Sequence, residues 1–113
     1  MIRLPAPPYC VVVFTSKRSA DGAGYAEAAD RMASLAKAAP GHLGHVSVRG
    51  ADGVGVTLSY WSSREDAEAF RRLPDHRAAQ ARGRTAWYDW YVSEVTVVAS
   101  RREGGASAEQ FFD

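Results

Sequence analysis

The chain has 113 residues, 46% of them hydrophobic and 24% charged, with a formal charge of +1 at neutral pH. That length holds one domain and no second core. The near-zero charge gives no electrostatic reason to expect nucleic acid or an anionic membrane as partner, and no run approaches the ~20 apolar residues of a membrane span.

Residues 1–8 include Pro5, Pro7 and Pro8, which cannot donate to a sheet ladder, and read as an extended lead-in. No basic region followed by an apolar one opens the chain, so no signal peptide is expected. Tyr9 to Thr15 is dense in β-branched and aromatic residues and predicts a first strand. It holds Cys10, the only cysteine, which cannot close an internal disulfide. A reducing, cytoplasmic setting is therefore expected, with Cys10 a buried structural thiol.

From Tyr25 to Ala39 the period becomes helical: Tyr25, Ala28, Ala29, Met32, Leu35, Ala36 and Ala39 form one apolar stripe. Pro40-Gly41 ends it. Leu43 to Arg49 reads as a second strand, Gly50-Ala51-Asp52-Gly53 as a tight turn, and Val54 to Trp61 as a third strand. Ser62 or Ser63 can cap a second helix with Glu65 and Asp66 in its first turn. Pro74 breaks that helix, Asp75 is placed to cap a continuation through Arg82, and Gly83 closes it. Trp87 to Ala99 predicts a long fourth strand, and residues 101–113 a polar tail.

Strand, helix, strand, strand, helix, strand is the split βαβ order, so the expectation is an α+β, ferredoxin-like domain over residues 9–100. Its four-stranded antiparallel sheet would carry both main helices on one face. The other face, with Tyr88, Trp90, Val92 and Val98 of the last strand, is then too apolar to leave wet. A homodimer packed through that face is expected; the alternative cover is the terminal segments, including Phe111 and Phe112.

Pro40-Gly41 after the first helix, Tyr60-Trp61 at a strand end, the run Ser63-Arg64-Glu65-Asp66-Ala67-Glu68-Ala69-Phe70, then His76-Arg77-Ala78-Ala79-Gln80 and Trp87-Tyr88 together resemble the antibiotic biosynthesis monooxygenase family. The resemblance covers about residues 9 to 100 and implies a dimeric α+β barrel with a pocket between sheet and helices in each subunit. It also implies chemistry, since the family includes cofactor-free oxygenases of polycyclic phenols and quinols as well as haem-degrading enzymes. The haem-degrading members place a tryptophan nine residues after the one ending strand three and a histidine ten further on, and here those positions are Phe70 and Gln80. Haem degradation is therefore not expected.

His76 is the candidate catalytic base, with a pKa ordinarily near neutrality; the alternative is a histidine making only structural contacts. His45 is the next candidate, and His42 is expected to be an exposed loop residue. Trp61, Phe70, Gln80, Trp87 and Tyr91 are the candidate substrate-binding residues, with Arg84 before the aromatic strand as the anion-stabilising one. The histidines and the single cysteine lack metal-ligand spacing, and no phosphate-binding or dinucleotide fingerprint occurs. The expected function is a cofactor-independent monooxygenase acting on a small phenolic, quinol or polycyclic aromatic ligand. The alternative is a non-catalytic dimeric binding or stress-response module of the same fold.

Overall fold

The computed structural model describes residues 4–105. The order is β1 (Tyr9–Arg18), α1 (Tyr25–Ala38), β2 (His42–Arg49), β3 (Val54–Trp61), α2 (Arg64–Arg71), α3 (Pro74–Arg82), a wide helical turn (Gly83–Trp87) and β4 (Tyr88–Val98). The strands form one antiparallel sheet in the order β2-β3-β1-β4, the ferredoxin-like topology.

β1 runs through the middle of the sheet. It extends beyond Thr15 because Ser16 and Lys17 pair with both β3 and β4, and Arg18 pairs with β4 and bonds the Gly53 carbonyl of the turn. Tertiary pairing thus carries polar residues into a strand that their propensities would have ended. α2 starts where the Ser63 hydroxyl accepts from the Asp66 N–H at 3.1 Å. Pro74 both ends α2 and opens α3, since at a helix's first position its missing N–H costs nothing. Asp75 therefore sits within the first turn of α3 instead of capping it.

Trp87 corrects the sequence expectation: it lies in the wide turn, not in the fourth strand. Its indole N–H donates to the Ala23 carbonyl at 2.8 Å, and the Arg18 guanidinium donates to the Trp87 carbonyl. These side-chain bonds hold Trp87 off the sheet.

The link between α1 and β2 is fixed by Gly41, at φ 81°. Its carbonyl accepts from the Ser62 N–H at 2.7 Å, and a Cβ there would stand 2.1 Å from the Asp66 carboxylate. Only glycine fits.

Two small cores flank the sheet. On the helix side Cys10, Trp61 and Ala67 are buried, with Val12, Ala39, Phe70 and Val95 against them. On the other side Leu4, Tyr9 and Val11 are buried, with Val13, Leu43, Leu58, Tyr60 and Val98 against them. Leu4 brings part of the lead-in onto this second face. The rest of that face is open: Val48 is 56%, Trp90 44% and Val92 50% exposed. Phe111 and Phe112 lie outside the described residues. Despite the apolar stripe of α1, none of its residues is fully buried. The helix rests along β2 and α3, so its stripe is only half covered. No helix among the described residues is long and apolar enough to cross a membrane.

Candidate functional site

The ladder register fixes which side chains share the helix-facing side, because residues directly opposite in antiparallel strands project to the same face. Read across β2, β3, β1 and β4, one row is His45, Ser59, Val12 and Val95. The next is Ser47, Thr57, Phe14 and Ser93, and the third is Arg49, Gly55, Ser16 and Tyr91. A sheet face built only to receive helices is usually aliphatic. Here the β1–β4 half is mostly apolar and the β2–β3 half is polar.

The polar half is tied together. The Ser47 and Thr57 hydroxyls are 2.7 Å apart. Arg49 lies across Gly55 and donates to the Ser16 hydroxyl at 2.9 Å, to the Ser16 carbonyl at 3.1 Å and to the Gly53 carbonyl at 2.6 Å. A Cβ at Gly55 would stand 2.9 Å from the Arg49 guanidinium carbon and 2.7 Å from the Val48 carbonyl, so the crossing requires glycine.

Rings gather at both ends of this floor. At the Cys10 end, Trp61 and Phe70 have centroids 5.1 Å apart, Phe70 meets His76 edge-on at 5.1 Å, and His42 meets Trp61 at 5.2 Å. The His76 Nδ1 and His42 Nε2 atoms are buried without a hydrogen-bond partner. Burial lowers the His76 pKa below its ordinary value, and the Arg71 charge lowers it further. Burial also lowers His42, helped by His45 and Lys37. Both imidazoles are therefore neutral at pH 7. At the other end Phe14 stacks on Tyr91 at 5.7 Å and meets Tyr88 at 5.4 Å, while Tyr25 packs on Trp87 and Tyr88 at 5.8 and 5.9 Å. The Arg18 guanidinium lies 3.6 Å over the Tyr25 ring. Burial and the hydrogen bond with Tyr25 raise the Tyr88 pKa, keeping that phenol protonated. Phe14 stands four positions along β1 from Cys10, about 13 Å of extended chain.

Of the residues predicted for the site, the structure brings Trp61, Phe70 and His76 into one ring series. Trp87 and Tyr91 belong to the second group, linked through Tyr88 and Tyr25. Gln80 is half-buried on α3, and Arg84 is exposed in the wide turn. His42 is no exposed loop residue: it opens β2 and is half-buried against Trp61. Sequence reading passed over Arg18, Arg49, Phe14 and Tyr25, and set Tyr88 on the far face with Trp90; the register shift between Lys17 and Arg18 turns Tyr88 to the helix side instead, against Phe14 and Tyr25. Strand alternation pairs Phe14 with the face of Cys10, which is the signal that was available. Among the surface depressions, one of about 230 Å³ lies beside Arg64, Glu65, Glu68 and Arg72, and one of about 430 Å³ lies at the Arg49–Gly55 edge, beside Thr15, Val48 and Val56. Neither is lined by His76.

An antiparallel β2-β3-β1-β4 sheet with its helices on one side and aromatic groups between them defines a class, and the sequence match specifies it. Residues 8–82 match the model of the antibiotic biosynthesis monooxygenase family, and the chain belongs to that family. Among its relatives is the uncharacterized protein YqjZ of Bacillus subtilis (strain 168), 45% identical over 100 residues, 88% of each chain. Among solved structures, SnoaB of Streptomyces nogalater, a cofactor-independent oxygenase, superposes with a TM-score of 0.67 at 16% identity, over 86% of this chain and 97% of that one. Rv0793 of Mycobacterium tuberculosis superposes with a TM-score of 0.64 at 21% identity, over 88% and 100%. At those identities the two structures share the fold.

Proposed function

We propose that the protein is a cofactor-independent monooxygenase of a phenolic, quinol or polycyclic aromatic compound, and that it works as a homodimer. The observation that carries this reading is the setting of His76: a neutral, half-buried imidazole with an unpaired buried nitrogen, held by Phe70 at one end of a ring-lined floor. SnoaB, of the same fold, is a cofactor-independent oxygenase.

In this mechanism His76 takes a proton from the substrate, from a phenol O–H or from an acidic C–H beside aromatic rings. The resulting anion supplies the electrons to dioxygen. For a methylene flanked by aryl rings, the two C–H bonds are replaced by C=O, one oxygen atom enters the product, and the other leaves with both hydrogens as water. Trp61, Phe70, Trp87 and Tyr91 would hold the flat substrate, Gln80 would hydrogen-bond it, and Arg84 would stabilise the developing anion. The open face around Val48, Trp90 and Val92 would be covered by the second copy. The lone thiol of Cys10 suits a reducing compartment, which favours the cytoplasm.

A second reading, a binding module without turnover, is favoured by one observation: the neighbour of His76 is the hydrocarbon ring of Phe70, not a polar group that would orient a base. Oxygen uptake with a panel of anthrones and hydroquinones decides between them. Turnover that is lost in His76→Ala supports the oxygenase. Binding of the same compounds without oxygen uptake supports the module, and turnover retained in His76→Ala removes the assigned base.

A further inference from the structure

The helix-facing side of β2 and β3 carries four polar groups in a square that the oxygenase chemistry does not use. His45 stands opposite Ser59 and Ser47 opposite Thr57, all projecting to the same face. In such pairs the Cβ atoms lie about 5 Å apart, and neighbours along one face about 7 Å apart. The square adjoins the apolar half of the floor, where Val12 and Phe14 are the next residues in the same rows. α1 runs along β2 above it, yet Ser47 is exposed and His45, Thr57 and Ser59 are only half-buried, so the helix leaves this part of the face accessible. Arg49, two residues beyond Ser47 along β2, is occupied by Ser16 and Gly53.

We propose that His45, Ser47, Thr57 and Ser59 form an oxygen-recognition subsite for the hydroxyl or carbonyl groups of a flat, polyoxygenated aromatic ligand, whose rings lie over Val12 and Phe14. The three hydroxyls can each donate and accept and the imidazole adds a further donor, so the square can serve phenol and ketone oxygens alike. It discriminates by chemistry, not by size: ligand oxygens can bond His45 and Ser59 and join the Ser47–Thr57 hydroxyl pair, whereas a ligand lacking them makes none of these bonds. The subsite rests on the aromatic-ligand part of the proposed function and deepens it, selecting oxygenated ring systems over plain ones.

The test uses 2,6-dihydroxyanthraquinone and 2,6-dimethylanthraquinone, close in shape and differing in their outer hydroxyls, with binding followed by quenching of tryptophan fluorescence. The wild-type protein is expected to bind the dihydroxy compound about tenfold more tightly. The double variant Thr57→Val, Ser59→Ala should reduce that preference to about twofold or less while leaving affinity for the dimethyl compound unchanged. Ser47→Ala, at an exposed position, should reduce it roughly threefold and serves as the variant least disturbing to the fold. Circular dichroism melting checks that each variant is folded. If both compounds bind and the preference survives both variants, the subsite is wrong and the aromatic-ligand reading stands. If neither compound binds the wild type, that reading fails and the subsite with it.

Discussion

The Arg49 guanidinium passes over Gly55 and donates to the hydroxyl of Ser16, whose residue is 0% exposed. An exposed cation on an edge strand thereby satisfies a buried polar group on the central strand, two strands away. The two ends of this bond are not equivalent. Removing Arg49 strands the Ser16 hydroxyl away from water, whereas removing the hydroxyl lets Arg49 turn to solvent. Arg49→Leu should therefore cost about 1–3 kcal/mol in urea denaturation, and Ser16→Ala about 1 kcal/mol or less. The reverse order would show that the bond contributes little to holding Ser16.

Acid should weaken the fold through His42 and His76. Both have folded pKa values below the ordinary 6.5, so between the folded value and 6.5 the unfolded chain binds more protons. Stability accordingly rises with pH through that window, is fully present above 6.5 and declines as the solution is acidified below it. Melting temperatures from pH 7.5 down to pH 5 should fall, and His42→Phe should flatten the slope. A melting temperature independent of pH over that range would contradict the burial of these rings.

The same shift fixes the pH profile of the proposed reaction. If neutral His76 is the base, the rate should be level above pH 6.5 and drop only below it, with the midpoint under the ordinary histidine value. A midpoint above 6.5 in kcat/KM would point to a different group.

Phe70 bridges Trp61 and His76. Phe70→Ala should destabilise by about 2–3 kcal/mol, the low side for emptying a phenylalanine site because this one is half-buried. Phe70→Leu should cost about 1 kcal/mol, since much of the volume is retained. Equal losses in the two variants would mean that the ring contacts, not the filled volume, hold this end together.

The open face is testable on its own. Sedimentation at micromolar concentration should find a dimer, and Val92→Lys, on the face away from the helices, should leave a folded monomer with unchanged circular dichroism. A wild-type monomer would remove the homodimer.

Much of the fold is legible in residue pattern because its signals are local. β-branched runs mark the strands, Pro40-Gly41 and Ser63 mark helix ends, and Val54–Trp61 was delimited to the residue by Asp52-Gly53 and Ser62. Trp87 was misplaced because its bonds reach Ala23 and Arg18, far away in the chain, and no neighbouring residue announces them. His42 follows a glycine and so reads as loop; its burial comes from Trp61, nineteen positions on by number. The role of Arg49 was equally hidden, since it depends on Gly55 being opposite and Ser16 lying one strand further. Residue types could nominate Trp61, Phe70 and His76, but their contact required the α2–α3 break at Pro74 to be placed in space.

Cys10 occupies the middle of the sheet at 2% exposure, where burial pushes its thiol pKa upward and away from the reactive thiolate. It is the chain's sole sulfhydryl, and it belongs to the central strand that pairs with both neighbours. Alkylating reagents should thus modify the molecule only when that strand parts from its partners, so the pace of labelling becomes a clock for how often the centre of the sheet opens.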